Sequence, residues 1–355
     1  MTLASIPVDM TDIAPGYRIS RVLKGGWHLA GGHGAVDRDR AIAEMRDYVE
    51  SGIVTFDCAD IYTGVEQMIG DFRRKMIAEG RADLLAPIRV HTKCVPDLAV
   101  LDSISRADLQ ATIDRSRARL GLDALDLVQF HWWNTAVERY VEVAGWLTDF
   151  QKEGRITLLG TTNFNAACTQ QLLDAGYPLA TTQVQYSILD NRPAHKLVPL
   201  LQKAGAKLLC YGTVAGGFLS DKWLGVADPG EATRLENRSL TKYKLIIDDM
   251  GGWDLFQEIL KTLRRIADRH GVNVADVAMG AMLDRPEVTA IIVGVRHGGH
   301  LEAHRRLFGL TLTDQDRRDL AAILAQRVEL EGDVYDLERD RHGRHGRIMH
   351  YNLNG

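Results

Sequence analysis

Four polar side chains at or near the ends of short apolar segments could together deliver a proton to a carbonyl oxygen. Asp57 and Lys93 end the segments GIVTFD and IRVHTK, and His131 ends LDLVQFH. Tyr62 follows Asp57 by five residues, but a tyrosine with a pKa of about 10 donates poorly at neutral pH unless a cation lowers that pKa. Lys93 could supply the cation, and Asp57 could keep a buried lysine protonated. His131 could hydrogen-bond a substrate oxygen or exchange a proton with Tyr62.

Each of these side chains also has an ordinary structural interpretation. Asp57 could cap a helix or pair with a surface arginine, and Lys93 could extend from a strand end towards solvent. His131 could be a core histidine, and Tyr62 could simply pack in a loop. Their joint occurrence near the ends of successive strand candidates favours a shared site, because the alternative needs four independent coincidences. Asp60, in the same stretch, is predicted to be a turn or solvent-facing residue without a catalytic role.

Short β-branched segments alternate with longer amphipathic segments along most of the chain. The candidate strands are residues 21–27, 52–57, 88–93, 125–131, 155–162, 180–186, 207–212 and 289–294. The helical spacing of apolar residues predicts helices at 37–51, 65–80, 105–120, 135–153, 165–175, 194–204, 254–270 and 273–285. This alternation predicts an α/β fold with a parallel sheet, and eight strands favour a closed (β/α)8 TIM barrel. The carboxyl ends of such strands meet at one mouth, where Asp57, Lys93 and His131 would converge.

Two segments depart from the alternation within what we predict to be a single domain, residues 1–355, whose barrel spans about 17–320. Residues 216–252 have few periodic apolar positions and several glycines, which predicts a long functional loop at the barrel mouth. The C-terminal tail extension, residues 331–355, is polar and could be a partly mobile terminus. Alternatively the tail folds over the barrel mouth, because it has five large side chains to bury: Tyr335, Ile348, Met349, Tyr351 and Leu353.

The charge balance and the cysteine pattern limit the classes of partner and compartment. The chain of 355 residues has a formal net charge of −4, so no basic excess predicts nucleic-acid or anionic-membrane binding. Its four cysteines are scattered without a CxxC pair, as is typical of reduced thiols in a cytoplasmic protein. It shows no basic and apolar leader, and no uncharged apolar run of the ~18 residues that a membrane span needs. The sequence leaves the oligomeric state open.

An ordered set of short motifs resembles the aldo-keto reductase family over about residues 17–320. The motifs are FDCADIYTGVE, HTK, VQFHWW, GTTNF, QVQYS, CYGTVAGGFLS and IIVGVRHGGHLEAH. The resemblance implies an NADPH-dependent oxidoreductase that reversibly reduces an aldehyde or ketone to an alcohol, with no metal required. It also implies a catalytic tetrad of Asp57, Tyr62, Lys93 and His131. In that tetrad the tyrosine is the general acid in reduction and the general base in oxidation.

The same resemblance assigns residues to the cofactor and the substrate. Thr162, Asn163 and Gln183 would hold the nicotinamide carboxamide, while Tyr211 would stack on the ring. The residues expected around the pyrophosphate, where glycines admit close backbone N–H groups, are Gly212, Thr213, Val214, Gly217 and Leu219. Those expected around the adenosine are Gly294, Val295, Arg296, His300 and His304. A turn close to both ligands would contain Gly26 and Trp27, and the substrate pocket would be lined by Trp27 and Trp132, with Trp133 as a further candidate.

Departures from the family pattern affect the cofactor assignment. Thr63 stands where the family often has glycine, and Thr162 replaces a common serine but keeps the hydroxyl. Where the family often has a glutamine and then a glutamate–asparagine pair around the adenosine, this chain has His300, Ala303 and His304. Arg296 retains a cation that could bind a 2′-phosphate, which favours NADP(H) as the cofactor. The altered adenosine contacts leave NAD(H) possible.

Two other functions are compatible with parts of the sequence. Some members of the resembled family serve as nucleotide-bound regulatory subunits with little turnover, although such a subunit has less need of a complete tetrad. A metal-dependent barrel hydrolase could use His91, Asp57 and His131, but the chain lacks a His-x-His pair on an early strand. The leading hypothesis therefore remains a carbonyl reductase acting on a small molecule.

The expected contact between Arg296 and a 2′-phosphate can be tested directly. Because Arg296→Ala removes the cation, NADPH should bind roughly tenfold or more weakly, while NADH binding should change little. Titration of each nucleotide against wild type and variant gives the two dissociation constants. An equal loss of affinity for both nucleotides would contradict this role.

Overall fold

Eight parallel strands close into a barrel in the computed structural model, which describes residues 6–31, 34–230, 233–295 and 298–353. The barrel strands follow one another in chain order, and the last pairs with the first. They are β3 (Val22–Gly25), β4 (Thr55–Asp57), β5 (Arg89–Cys94), β6 (Leu125–Phe130), β7 (Ile156–Thr162), β8 (Leu179–Gln185), β9 (Lys207–Tyr211) and β10 (Val288–Gly294). The predicted (β/α)8 TIM barrel is confirmed, and each candidate strand corresponds to one of these eight.

A hairpin that the sequence pattern does not predict packs against the amino-terminal end of the barrel. Its strands, β1 (Met10–Ala14) and β2 (Tyr17–Ser20), pair antiparallel, and Gly16 in the turn has a φ of +73°. Tyr17 joins an apolar cluster with Leu127 and other side chains of the barrel interior. Both strands are short and mix polar with apolar residues, so their periodicity is too weak to stand out.

Helices surround the barrel, and the main apolar core lies between them and the strands. They are α1 (Arg38–Glu50), α2 (Val65–Ala78), α3 (Arg106–Leu120), α4 (Tyr140–Lys152), α5 (Ala166–Asp174), α6 (Arg192–His195), α7 (Leu197–Ala204), α8 (Arg238–Asp249), α9 (Gly252–His270), α10 (Val274–Leu283), α11 (Leu301–Arg306), α12 (Asp314–Leu324) and α13 (Asp336–Arg339). Asp37 caps α1 by accepting from the amide of Arg40 at 3.1 Å. Ser105 caps α3 in a reciprocal capping box with Asp108. These side chains satisfy N–H groups that have no partner inside the helix.

The segment 216–252 contains α8, so its prediction as a long loop is wrong for Arg238–Asp249. Within α8, Leu240, Tyr243 and Ile247 recur at helical spacing and are buried. The stripe is hard to recognise in the sequence because charged residues such as Lys242 interrupt it, although the Lys242 side chain is itself only 14% exposed. The helix still lies at the barrel mouth, where the loop was expected.

The tail folds over the barrel mouth, which confirms the second of the two alternatives considered for it. Tyr335 is 5% exposed, and Ile348 and Leu353 face the cavity at the mouth. Near the end of the tail, the carbonyl of Tyr351 accepts a hydrogen bond from the amide of Leu98 at 2.9 Å. The described part of the tail is therefore built into the barrel.

A buried ion network anchors the tail. The carboxylate of Glu338 accepts hydrogen bonds from Arg192 at 3.3 and 3.4 Å, and it lies 3.4 Å from the Nζ of Lys242. Arg192 also donates to Asp190 at 2.7 Å. Burial by itself raises the pKa of Glu338, but Arg192 and Lys242 lower it to about 2. Glu338 is therefore ionised at neutral pH and holds both cations.

Removal of the Glu338 charge should release the tail. The variant Glu338→Gln leaves Arg192 and Lys242 with a single carboxylate, which should cost roughly 3–5 kcal/mol of the free energy that holds the tail. Trypsin should then cleave the tail at its arginines much faster than in the wild type. Mass spectrometry of the fragments over time measures the cleavage rate. Glu331→Gln is the matched control, because Glu331 is an exposed tail residue. Equal cleavage rates in the two variants would show that the network does not anchor the tail.

Candidate active site

Lys93 and Asp57 form a buried ion pair at the carboxyl ends of β5 and β4. The Nζ of Lys93 lies 2.7 Å from Oδ2 of Asp57 and donates to the carbonyl of Cys58 at 2.9 Å. Burial by itself would lower the pKa of Lys93, but Asp57 and Tyr62 raise it above its ordinary value. Lys93 is therefore a stable cation beneath the cavity at the barrel mouth.

The second carboxylate oxygen of Asp57 is also engaged. Its Oδ1 accepts hydrogen bonds from the Nε2 atoms of Gln129 and Gln183 at 3.1 and 2.6 Å. The same nitrogen of Gln183 also donates to Oε1 of Gln129 at 2.9 Å. Because the two glutamines lie on β6 and β8, one carboxylate connects four barrel strands. This arrangement satisfies the hydrogen-bonding demand of a charge that is out of water.

Tyr62 lies beside the ion pair, where the turn after β4 places it. The Nζ of Lys93 is 5.0 Å from the centre of the Tyr62 ring, and the Trp27 and Tyr62 ring centres are 5.0 Å apart. Burial raises the pKa of the Tyr62 hydroxyl, and Lys93 offsets this rise only in part. Lys93 lowers this pKa as expected, but desolvation of the phenolate outweighs the attraction of the cation, so the net shift is upward. Tyr62 is protonated at neutral pH.

Asp60 lies in a turn, as predicted, but it is buried and does not face solvent. Its carboxylate accepts hydrogen bonds from the amides of Ile61 at 2.9 Å and Val95 at 3.0 Å. Burial raises the pKa of Asp60 to about 7, although the Val95 amide acts in the opposite direction. Asp60 thus joins the turn that carries Tyr62 to the segment that follows β5.

His131 is a neutral imidazole with a defined tautomer. Its Nδ1 lies 3.0 Å from the carbonyl oxygen of Thr162, and Nδ1 carries the hydrogen because a carbonyl can only accept. Burial lowers the pKa of His131 to about 3, and the charge of Arg339 contributes to the lowering. The other nitrogen, Nε2, is then an acceptor, and it has no hydrogen-bond partner in the part of the chain that the structure describes. A ligand hydroxyl could satisfy this buried acceptor.

The two tryptophans after His131 face opposite ways. Trp133 meets the His131 ring edge-on, with ring centres 4.3 Å apart, and it lines the cavity. Trp132 was predicted to line the substrate pocket, but it is fully buried, and its Nε1 donates to the carbonyl of Val137 at 2.9 Å. Neighbouring residues of an extended segment point to opposite faces, so only one of the pair can face the cavity. The structure corrects the prediction from Trp132 to Trp133.

Asn163 and Tyr211 form a polar part of the cavity wall near the tetrad. Asn163 has a left-handed φ of +62°, and its Oδ1 accepts from the Tyr211 hydroxyl at 2.9 Å. A residue with a Cβ atom rarely adopts this conformation unless surrounding contacts maintain it. One such contact comes from the tail, because Arg339 donates to the carbonyl of Asn163 at 2.6 Å and to that of Trp132 at 3.2 Å.

The segment after β9 forms a glycine-rich cradle. Gly212, Gly216 and Gly217 have φ values of +76°, +65° and +107°, which glycine adopts without strain. A Cβ atom on Gly212 would collide with the Tyr243 hydroxyl of α8. Such a loop lets backbone N–H groups approach an anion closely, so these residues fit the pyrophosphate of a dinucleotide.

His300 and His304 lie at the adenosine end of the predicted cofactor site. The Nδ1 of His304 is 2.7 Å from the hydroxyl of Tyr48. Burial lowers the pKa of His304 to about 3, with further lowering by His300. His304 is therefore uncharged at neutral pH and would contact a ligand through hydrogen bonding or stacking rather than through charge.

One cavity of about 540 Å³ brings most of the predicted residues together. Its lining includes Trp27, Asp57, Tyr62, Lys93, His131, Thr162, Asn163, Gln183, Tyr211, Gly212, Thr213, Val214, Gly217, Leu219, Gly294, His300 and His304. The structure does not bring Gly26 or Val295 to the cavity. Gly26 donates its backbone N–H to the carbonyl of Asp57 at 2.7 Å, and Val295 is fully buried. Arg296 lies outside the described residues.

Several cavity residues are absent from the sequence-based prediction because α8 and the tail supply them. They are Arg238, Ser239, Lys242, Tyr243, Tyr335, Ile348, Met349, His350 and Leu353. The sequence indicates Tyr335, Ile348, Met349 and Leu353 as side chains that could cover the barrel mouth, but no local pattern assigns them to the site. Among the residues described, no group of three or more His, Cys, Asp or Glu side chains is placed to hold a metal ion. No helix in those ranges is long and apolar enough to span a bilayer.

Comparisons with known proteins point to one family. The model described as "Aldo/keto reductase family" matches residues 21–325. Aldo-keto reductase YhdN of Bacillus subtilis (strain 168) is 26% identical over 333 residues, which cover 90% of this chain and 95% of that protein. NADH-specific methylglyoxal reductase of Escherichia coli (strain K12) is 23% identical over 334 residues, covering 88% and 96%. The solved structure of glycerol dehydrogenase AKR11B4 from Gluconobacter oxydans shares the fold, with a TM-score of 0.72 at 22% identity over 94% of this chain and 98% of that one.

The buried ion pair should contribute strongly to stability. Asp57→Asn leaves Lys93 charged and buried without its carboxylate, so we expect a loss of roughly 3–5 kcal/mol in the free energy of unfolding. Urea denaturation followed by circular dichroism measures this loss. Asp149→Asn is the control, because Asp149 and Lys152 form an ion pair whose side chains are 51% and 72% exposed. Its loss should cost less than about 1 kcal/mol, and equal losses in the two variants would contradict the role of Asp57.

Proposed function

The chain belongs to the aldo/keto reductase family, and on that basis we propose that it is an NADPH-dependent oxidoreductase that reduces an aldehyde or ketone to an alcohol. The proposal is carried by the arrangement of Tyr62, Lys93 and His131 around one cavity. A protonated phenol, a fixed cation and a free hydrogen-bond acceptor face the same space there. These are the groups that reversible proton transfer to a carbonyl oxygen requires.

Tyr62 gives its proton to the carbonyl oxygen in reduction and accepts one from the alcohol in oxidation. Its hydroxyl is protonated at neutral pH, so the proton is available before the reaction begins, and Lys93 counteracts the rise in pKa that burial causes. As the proton leaves, negative charge develops near the Lys93 ammonium in a site of low dielectric constant, where the attraction is strong. Asp57 keeps Lys93 protonated, so this stabilisation needs no rearrangement.

His131 acts as a hydrogen-bond acceptor in its observed tautomer. Its Nδ1–H is committed to the carbonyl of Thr162, so Nε2 can accept from the Tyr62 hydroxyl or from the product alcohol. Donation from Nε2 to a substrate carbonyl would need a protonated imidazole, which a pKa of about 3 disfavours at neutral pH. Of the two roles predicted for His131, this tautomer favours a hydrogen bond to a ligand oxygen, with Nε2 as the acceptor, because proton exchange with Tyr62 would also need a protonated imidazole.

A nicotinamide cofactor would supply the hydride that reduces the carbonyl carbon. Asn163 and Gln183 would orient its carboxamide, and Tyr211 would pack against its ring. The glycine-rich cradle at residues 212–219 would bind the pyrophosphate, and His304 would contact the adenosine. These assignments rest on the lining of the cavity together with the family motifs.

The preferred nucleotide depends on the adenosine end of the site. We assign NADPH because Arg296 is a cation suited to a 2′-phosphate. NADH is the alternative, since a relative of similar length is named as NADH-specific. The same relative is named for reducing methylglyoxal, which makes small carbonyl compounds the first substrates to try. We place the protein in the cytoplasm, in keeping with its four buried and unpaired cysteines.

Tyr62→Phe tests the proton-transfer role. The variant keeps the ring but loses the proton, so aldehyde-dependent oxidation of NADPH should fall by at least about a hundredfold in kcat. Loss of nicotinamide absorbance with a panel of small aldehydes measures the rate. Tyr177→Phe is the matched control, because the Tyr177 hydroxyl donates to the carbonyl of Gly160 at 3.0 Å and does not line the cavity. That variant should keep wild-type turnover.

The outcomes separate the competing hypotheses. Retained activity in Tyr62→Phe would contradict its assignment as the proton donor. Wild-type protein that binds the cofactor well but reduces none of the aldehydes or ketones would favour a nucleotide-bound regulatory or binding subunit. Measuring NADPH binding to both Tyr62→Phe and wild type shows whether lost activity reflects lost chemistry rather than lost cofactor.

A further inference from the structure

Tyr335 brings a tail residue to the cavity next to the tetrad. It lies beyond the residues 21–325 that match the family model, and it lines the same cavity as Tyr62 and His131. Its backbone φ is +63°, a left-handed conformation that is unfavourable for a residue with a Cβ atom. Backbone strain of this kind persists only where surrounding contacts enforce it, and it concentrates at functional positions.

Hydrogen bonds on both sides of Tyr335 enforce its conformation. Asp333 accepts from the amide of Ala166 at 2.9 Å. Asp336 accepts from the amide of Asp333 at 2.8 Å and from the side chain of Asn165 at 3.1 Å. These bonds fasten the turn that carries Tyr335 to the amino-terminal end of α5. The direction of the Tyr335 side chain is therefore set by the barrel.

The Tyr335 ring is held between two cations and His131. The Nζ of Lys242 and the Cζ of Arg339 each lie 5.3 Å from the ring centre. The His131 ring meets it edge-on, with ring centres 5.7 Å apart. Cations over an aromatic face are attracted to its π electrons, so both contacts restrict the ring. Tyr335 is thus a rigid neighbour of a tetrad residue.

The hydroxyl of Tyr335 has no hydrogen-bond partner among the described residues, and it is not sealed from the cavity. Hydroxyls of several other tyrosines in this protein do have partners, whereas that of Tyr17 has none among the described residues and is sealed from solvent. The Tyr48 hydroxyl lies 2.7 Å from a histidine nitrogen. The Tyr177 hydroxyl donates to a backbone carbonyl at 3.0 Å, and the Tyr211 hydroxyl donates to a side-chain amide oxygen at 2.9 Å. A rigidly placed phenol with an unused hydroxyl in a binding cavity is therefore free to bond a ligand.

We propose that Tyr335 is a specificity-determining residue that hydrogen-bonds a second oxygen of the substrate, next to the reacting carbonyl. The inference rests on the proposed function, in which the carbonyl oxygen binds near Tyr62 and His131. The Tyr335 ring packs against His131 in the cavity that Tyr62 also lines, so its hydroxyl is assigned to a group on the carbon adjacent to the carbonyl. The substrate class is then α-hydroxy or α-oxo carbonyl compounds in preference to simple aldehydes.

Lactaldehyde and propionaldehyde form the matched substrate pair, because they differ by one hydroxyl at the α carbon. Wild type should favour lactaldehyde over propionaldehyde in kcat/KM, and Tyr335→Phe should reduce that preference about fivefold. Tyr351→Phe is the matched tail control. The Tyr351 hydroxyl donates within the tail to the carbonyl of Gly346 at 2.7 Å, and the residue does not line the cavity. The control should keep the wild-type preference.

A binding measurement makes the test independent of turnover. Trp27 and Trp133 line the cavity, so quenching of tryptophan fluorescence in the presence of NADP⁺ gives a dissociation constant for each aldehyde. If wild type turns over neither aldehyde but Tyr335→Phe still lowers the binding preference, the proposed function fails and the Tyr335 contact stands. If Tyr335→Phe leaves the preference unchanged in both assays, or weakens both aldehydes equally, the proposal is overturned.

Discussion

The buried ion pair of Lys93 and Asp57 is the interaction on which the rest of the site depends. Charges removed from water are stable only when they find partners, and these come from several strands. Asp57 on β4 binds Lys93 from β5, and its second oxygen accepts from Gln129 on β6 and Gln183 on β8. Satisfying one carboxylate therefore fixes four strand ends relative to one another. It also keeps a cation close to Tyr62, where negative charge would develop.

On the outer side of the cavity, the tail is also held by buried charges that need partners. Glu338 and Arg192 are paired where water is excluded, so the tail is attached by charge as well as by apolar packing. Arg339 then donates to backbone carbonyls that follow β6 and β7, and its charge contributes to the low pKa of His131. Arg339 lies in the tail, beyond the residues 21–325 that match the family model, and it thus influences the protonation of His131, which lies within that range.

Local patterns in the sequence suffice to predict the barrel and the meeting of Asp57, Lys93 and His131 at one mouth, because strands and helices have distinct apolar periods and parallel strands share one mouth. The errors concern contacts between distant segments. Asp60 can be buried because the amide of Val95, from a distant segment, donates a hydrogen bond to its carboxylate. Which of Trp132 and Trp133 faces the cavity depends on how the chain turns after β6. The sign of the Tyr62 pKa shift depends on burial by the whole cavity wall. None of these leaves a signal in neighbouring residues.

The central claim is that the Lys93 cation, kept charged by Asp57, stabilises the phenolate of Tyr62. The most direct measurement is the pH dependence of kcat/KM for alcohol oxidation by wild type and Lys93→Met, since Tyr62 must lose its proton in that direction. Loss of the cation should raise the apparent pKa of the required base by about one pH unit or more. An apparent pKa that is the same in both proteins would contradict the account.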